Sequence, residues 1–223
     1  MQSSEWFISY SIENTMRFRT FFTEQAGHPS GLFGRVVMSK IFDFGNAALN
    51  NFLMETLVPE ENDHVLEIGF GTGKLISKMS GRINHGLVEG IDLSASMLHI
   101  AEKRNRKYIN QGRVILRQGD FGEIDYDHNR FDKICSVNTV YFWIEPDKII
   151  QKIHRLLKNG GKLVLAFEDK KQLETRPLDL DIFKMYSEYQ IRDILRRNRF
   201  SAEIRIESKL IKSDKYHCCI AVK

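Results

Sequence analysis

From residue 63 onward the chain alternates short β-rich runs with helical patterns, and this order constrains the fold more than any other feature. HVLEIG (64–69), GLVEGIDL (86–93), RVILRQ (113–118), FDKICSV (131–137) and KLVLAF (162–167) read as strands. TGKLISKMSG (72–81) reads as a short helix closed by Gly81, a natural C′ residue. Ser94 is placed to cap a helix through ASMLHIAEKRNRK (95–107). Pro146 opens PDKIIQKIHRLLKNGG, where Ile149, Ile150, Ile153, Leu156 and Leu157 share a face and Asn159 and Gly160 end the helix. Strand and helix in alternation predict an α/β fold, a doubly wound, mostly parallel sheet with helices on both faces. Ligands of such sheets sit at the carboxyl ends of the strands. Gly69, Asp92, Asp120 and Asn138 all fall at or just past predicted strand ends, so they converge on one rim.

After residue 168 the pattern changes. KKQLETRPLDLD (170–181) reads as a loop, IFKMYSEYQIRDILRRNRF (182–200) as a helix, and AEIRIESKLI (202–211) with YHCCIAV (216–222) as a terminal hairpin around KSDK. That hairpin predicts one antiparallel pairing in the sheet. Residues 1–58 stand apart as an N-terminal helical extension of the same domain, ahead of the main unit at 59–223. They carry Trp6, Phe7, Tyr10, Phe18, Phe21 and Phe22 and are broken at GHPSGLFG (27–34). Such a segment suits an extra layer on the sheet, a lid over an apolar substrate, or both.

The stretch VLEIGFGTGKL (65–75) carries the chemistry. Its glycine loop follows a strand, as phosphate-binding loops do, yet it fits neither phosphate motif. Lys74 stands where a dinucleotide fingerprint needs its third glycine. Leu75 follows Gly73-Lys74 where a P-loop needs Ser or Thr, and Ile68 stands at its first glycine. Glu67 lies inside the motif, and a carboxylate beside a pyrophosphate is repulsive. The loop Glu67-x-Gly69-x-Gly71-x-Gly73 therefore suits a ligand with positive charge and little phosphate. S-adenosylmethionine, with its sulfonium and ammonium, is such a ligand. Asp92 lies 23 residues after Gly69, at a second strand end, where an acid accepts from ribose hydroxyls. Asp120, in GDF (119–121), is placed to accept from an adenine amine, and Met97 to lie against the ring.

VLEIGFGTGKL, GIDLSASML, RQGDF and HRLLKNGGKLVLAF together resemble the successive motifs of class I S-adenosylmethionine-dependent methyltransferases, with the small-molecule methylases of quinone biosynthesis nearest. The resemblance covers residues 60–168 and reaches the terminal hairpin by fold only. It implies a Rossmann-like seven-stranded sheet whose last strand, YHCCIAV, is antiparallel. It also implies that Glu67 and the backbone of Gly69, Gly71 and Gly73 cradle the methionine part. Asp92, beside Leu93, would hold the ribose, Asp120 and Phe121 the adenine, and Asn138 the methionyl end. Phe70 departs from the small residue often found at that place.

Methyl transfer is an in-line displacement at a carbon the sulfonium already activates, so positioning and water exclusion dominate. Tyr141 and Trp143, in NTVYFW, follow the fourth strand and are expected to border the transferred methyl and its acceptor. As general base, Tyr141, His28, Glu168 and Asp169 are candidates by position alone. Base-amine methylases carry [DN]-P-P-[YF] after this strand. NTVY lacks both prolines, which argues against a nucleic-acid acceptor. The net charge of +4 agrees, with KRNRK (103–107) and RRNR (196–199) read as solvated helix faces.

Cys135, Cys218 and Cys219 form no disulfide framework, and adjacent strand residues face opposite sides, so no metal site is expected. No run approaches the ~18 apolar residues of a membrane span, and the first residues lack a secretory pattern. A cytoplasmic enzyme methylating a small, apolar molecule is the expectation. A silent cofactor-binding protein and an RNA or protein methylase are the alternatives.

Overall fold

The computed structural model describes residues 46–223 apart from 177, 182, 201 and 202. Seven strands form one sheet: β1 (His64–Ile68), β2 (Leu87–Asp92), β3 (Val114–Gln118), β4 (Phe131–Val137), β5 (Leu157–Glu168), β6 (Arg205–Ile211) and β7 (Asp214–Val222). Their order is β3-β2-β1-β4-β5-β7-β6. β1 through β5 pair in parallel, and β7 runs antiparallel to both β5 and β6. The expected mostly parallel seven-stranded sheet with an antiparallel last strand is therefore present.

Helices α1 (Ala47–Leu57), α2 (Lys74–Ser80) and α3 (Ala95–Asn110) cover one face, where Leu53, Leu57, Ile76, Met79 and Ala101 meet Val65, Val88 and Val164. On the other face lie α4 (Pro146–Leu156) and α6 (Glu188–Arg197), and there Ile150, Ile153, Ile191 and Leu195 meet Leu66, Ile134 and Leu163. Burying each of the Val, Leu, Ile and Met side chains contributes about 1.5–3 kcal/mol. The short α5 (Lys170–Leu173) links β5 to the segment before α6.

Local chemistry explains most boundaries. The Ser94 hydroxyl accepts from the Met97 N–H and starts α3 as the sequence predicts. Pro146 occupies the first turn of α4. Three expectations need correction. First, α4 ends at Leu156, before Asn159 and Gly160, because Leu157 turns extended and is fully buried at the start of β5. Second, Gly81 closes α2 as expected, but as the C-cap and not one residue beyond it, with φ −73, a right-handed conformation open to any residue. Third, the helix expected over 182–200 begins only at Glu188, where Ser187 and Gln190 form a reciprocal capping box that fixes the start.

The basic runs are not wholly solvated either. Asn105 is buried and donates to Gly73 O at 3.0 Å, and Asn198 is buried and donates to Asp147. Of the N-terminal extension, α1 joins the sheet's core. The aromatic residues Trp6 to Phe22, the GHPSGLFG break and His28 lie outside the described residues.

Gly73, at the N-cap of α2, packs tightly against α3. A Cβ there would stand 2.7 Å from the Ala101 Cβ and 2.6 Å from the Asn105 Nδ2, at φ +71. Gly73→Ala combines left-handed strain with overpacking and is expected to destabilise by roughly 2–4 kcal/mol in urea denaturation. A change below about 0.5 kcal/mol, the range of neutral surface substitutions, would contradict this packing.

Candidate functional site

Connections from β1 and β4 leave in opposite directions across the sheet, so a crevice opens at the carboxyl ends of these neighbours. It is a cleft of about 1160 Å³ running from the glycine loop to the segment after β5. Gly69, Gly71 and Gly73 all hold left-handed φ values, of +75, +52 and +71. Their jobs differ. A Cβ on Gly69 would strike the Thr139 side chain, and Gly73 packs on α3. A Cβ on Gly71 would meet nothing within 4 Å, and Gly71 lines the cleft, so its bare backbone faces ligand space.

Two acids set the electrostatics. Asp92 Oδ2 accepts from the Gly71 N–H at 2.7 Å, and its Oδ1 accepts from the Ser94 N–H at 2.9 Å. The carboxylate thus ties the glycine loop to the start of α3 while bordering the cleft. Its remaining lone pairs can accept from a ligand. Glu67 is 3% exposed, and its Oε2 is a buried polar atom with no hydrogen-bond partner among the described residues. Burial drives its pKa well above the ordinary carboxylate value. The Asp92 charge adds to this, and the Ile76 N–H opposes it. A cation at this place would relieve both acids.

The other predicted residues distribute along the same rim. Asp120 is exposed, with its Oδ1 accepting from the Gly122 N–H at 2.7 Å, beside a mostly buried Phe121. Leu93 lies half-exposed at the edge. Met97 is buried in the α3 core and borders the cleft.

Asn138, left-handed at φ +55, donates from Nδ2 to Asn46 Oδ1 at 2.9 Å. The Tyr141 hydroxyl donates to Asn138 Oδ1 at 3.2 Å and accepts from the Glu168 N–H at 2.7 Å, and its ring stacks on Phe183 at 4.5 Å. Trp143 lines the far half with Phe142, Leu173 and Leu178.

The base candidates fare differently. Burial pushes the Tyr141 phenol well above its usual range, and its oxygen is held between two partners, which suits an anchor better than a proton acceptor. Glu168 faces the cleft but accepts from Arg176 at 2.5 Å and from Gln172 at 2.8 Å. Asp169 turns away to His217 at 3.0 Å.

Sequence reading missed Lys152. Its ammonium donates to the carbonyls of Phe121 at 2.7 Å, Gly122 at 3.0 Å and Ile124, and it stands 5.1 Å from the Phe121 ring centre. One side chain thereby fixes the loop that presents Asp120 and Phe121. A lysine in an amphipathic helix carries no local signal of such a role. Asn46 and Asn50 of the α1 turn, which also line the cleft, were missed for the same reason.

Residues 65–161 match the family described as methyltransferase domain. The chain is 32% identical over 123 residues to an uncharacterized methyltransferase, YdaC, of Bacillus subtilis (strain 168), covering 55% of this chain and 66% of that one. It is 30% identical over 136 residues to the demethylmenaquinone methyltransferase of Alkalihalophilus pseudofirmus, covering 59% and 52%. The chain thus spans about half to two thirds of the length of these relatives. A solved S-adenosylmethionine-dependent methyltransferase from Aquifex aeolicus shares the fold at TM-score 0.67 and 20% identity, covering 83% of this chain and 96% of that one. The matched segment starts two residues before Glu67 and runs through α4, so it takes in the whole rim from the glycine loop to Trp143. Residues 65–161 belong to the methyltransferase domain family, and the chain has the fold of the class I S-adenosylmethionine-dependent methyltransferases.

Proposed function

We propose that the protein transfers a methyl group from S-adenosylmethionine to a small, apolar acceptor bound in the far half of the cleft. The observation that carries this reading is Glu67 Oε2, a buried oxygen with no partner among the described residues, in the same cleft as the bare backbone of Gly71. A nucleotide phosphate would worsen that charge, whereas a ligand with an ammonium and a sulfonium offsets it. In this reading Glu67 and the loop from Gly69 to Gly73 hold the methionine end, with Asn138 beside it. Asp92 and Leu93 hold the ribose, and Asp120 and Phe121, fixed by Lys152, hold the adenine. The bound cofactor supplies a methyl carbon already activated for displacement.

The remaining task is alignment in a dry site. Tyr141, anchored through its hydroxyl, and Trp143 wall the place where acceptor and methyl would meet. The apolar lining from Trp143, Leu173, Leu178 and Phe183 supports an apolar acceptor, as does likeness to a relative named for a quinone precursor. Incubating the protein with methyl-labelled cofactor and a cell extract tests the reading. A labelled small molecule supports transfer, whereas cofactor binding with no labelled product favours a silent binding protein, and labelled RNA or protein redirects the acceptor class.

Asp92→Ala removes an acceptor that also holds the Gly71 N–H. Cofactor affinity in calorimetric titration is expected to fall at least about tenfold, the loss of one bond to a charged group. Equal affinities would refute the ribose assignment.

Glu67 gives a pH signature. A ligand's ammonium group binds best when Glu67 is ionised, and burial holds the carboxyl protonated above the ordinary carboxylate range. Affinity for S-adenosylhomocysteine should therefore rise as pH climbs through the raised pKa and then flatten. Over the same span the folded, ligand-free protein binds more protons than the unfolded chain, so its stability falls with rising pH. Glu67→Gln should bind more weakly and flatten both profiles. Parallel slopes in the two proteins would contradict the pairing.

A further inference from the structure

A second polar cluster lies outside the cleft, on the α6 face of the sheet. It joins three elements: Asp169 follows β5, Glu188 opens α6, and His217 sits within β7. His217 is fully buried. Its Nδ1 is 2.8 Å from the Ser208 hydroxyl on the paired strand β6. Its Nε2 points at two carboxylates, with Asp169 Oδ2 at 3.0 Å and Glu188 Oε2 at 3.9 Å. A single ring N–H can satisfy one of these oxygens, and 3.9 Å is too long for a hydrogen bond. One ligand atom from each residue lies within 4.8 Å of the others.

We propose that Asp169, Glu188 and His217 form a binding site for one divalent transition-metal ion of the zinc and cobalt kind. Metal–ligand bonds of about 2.0–2.2 Å place tetrahedral ligands roughly 3.4 Å apart, and the observed 3.0 and 3.9 Å straddle that spacing. One imidazole with two carboxylates suits zinc, cobalt or manganese better than calcium or magnesium. Ser208 supplies the partner on the far ring nitrogen that ligating histidines usually have, and it fixes the ring's orientation.

Lys215 Nζ, 3.5 Å from Asp169 Oδ2, competes with a metal for the same oxygen. Asp169 Oδ1 remains engaged by the Lys171 N–H at 2.9 Å, so the carboxylate is held in place for Oδ2 to coordinate. An ion here would tie the end of β5 to α6 and β7, one residue from Glu168 in the cleft wall. Its role would be to brace that wall, apart from the chemistry.

The test uses the full, tag-free chain stripped with a chelator and titrated with Co²⁺, read by visible absorption and calorimetry. One equivalent is expected to bind with visible bands of nitrogen and oxygen coordination. Glu188→Gln should weaken binding at least tenfold, and Lys215→Met should tighten it. Glu188 and Lys215 are partly exposed, so both variants spare the buried core. No stoichiometric binding, unchanged affinity in Glu188→Gln, or thiolate-to-cobalt charge-transfer bands from the cysteines would each overturn the proposal.

Discussion

The parallel pairing of β1 with β4, four registered residue pairs from Val65 against Lys133 to Ile68 against Ser136, is the constraint on which the rest depends. It fixes where the sheet changes direction and therefore where the crevice must open. Strand ends on either side then deliver Gly69, Asp92, Asp120 and Asn138 to one rim without further design. A one-residue slip of β1 would turn Glu67 from the α2–α3 face of the sheet to the other. Because Val65 and Leu66 are fully buried on opposite faces, such a slip is strongly opposed.

Charge placement follows from that geometry. Glu67 is held in the core by its strand, short of hydrogen bonds, and close enough to Asp92 to feel its charge. Such a buried acid costs stability in the ligand-free protein. A cationic ligand would offset this cost, so affinity for a sulfonium nucleoside and a locally strained resting state have one cause. The loop around it is rigid, held by Asp92 on Gly71, by Asn105 on Gly73 and by Arg104 on Thr72 O at 2.8 Å. A pre-ordered loop loses little entropy when a ligand arrives.

Much of this was legible in the sequence, because it rests on local patterns. The strands showed as β-rich runs between turn residues, and the glycine spacing with Glu67 inside it excluded the phosphate motifs. Chain-local signals also placed the Ser94 cap and Pro146. What was not legible depends on distant partners. The clamp by Lys152, the inward turn of Asn105 from a basic run and the anchoring of Tyr141 by the Glu168 N–H each join residues far apart in the chain. The convergence of Asp169, Glu188 and His217 has the same character, since Asp169 and His217 are 48 residues apart and meet only through the sheet. Helix ends were misjudged where tertiary burial, as at Leu157, overrode a terminal glycine.

The measurement that bears most directly on the account is a crystal structure grown with S-adenosylhomocysteine. The account predicts one ligand along the rim, with its ammonium near Glu67, its ribose on Asp92 and its adenine between Asp120 and Phe121. An empty crevice under saturating ligand, or the same crevice filled instead by NAD or ATP in parallel soaks, would contradict it.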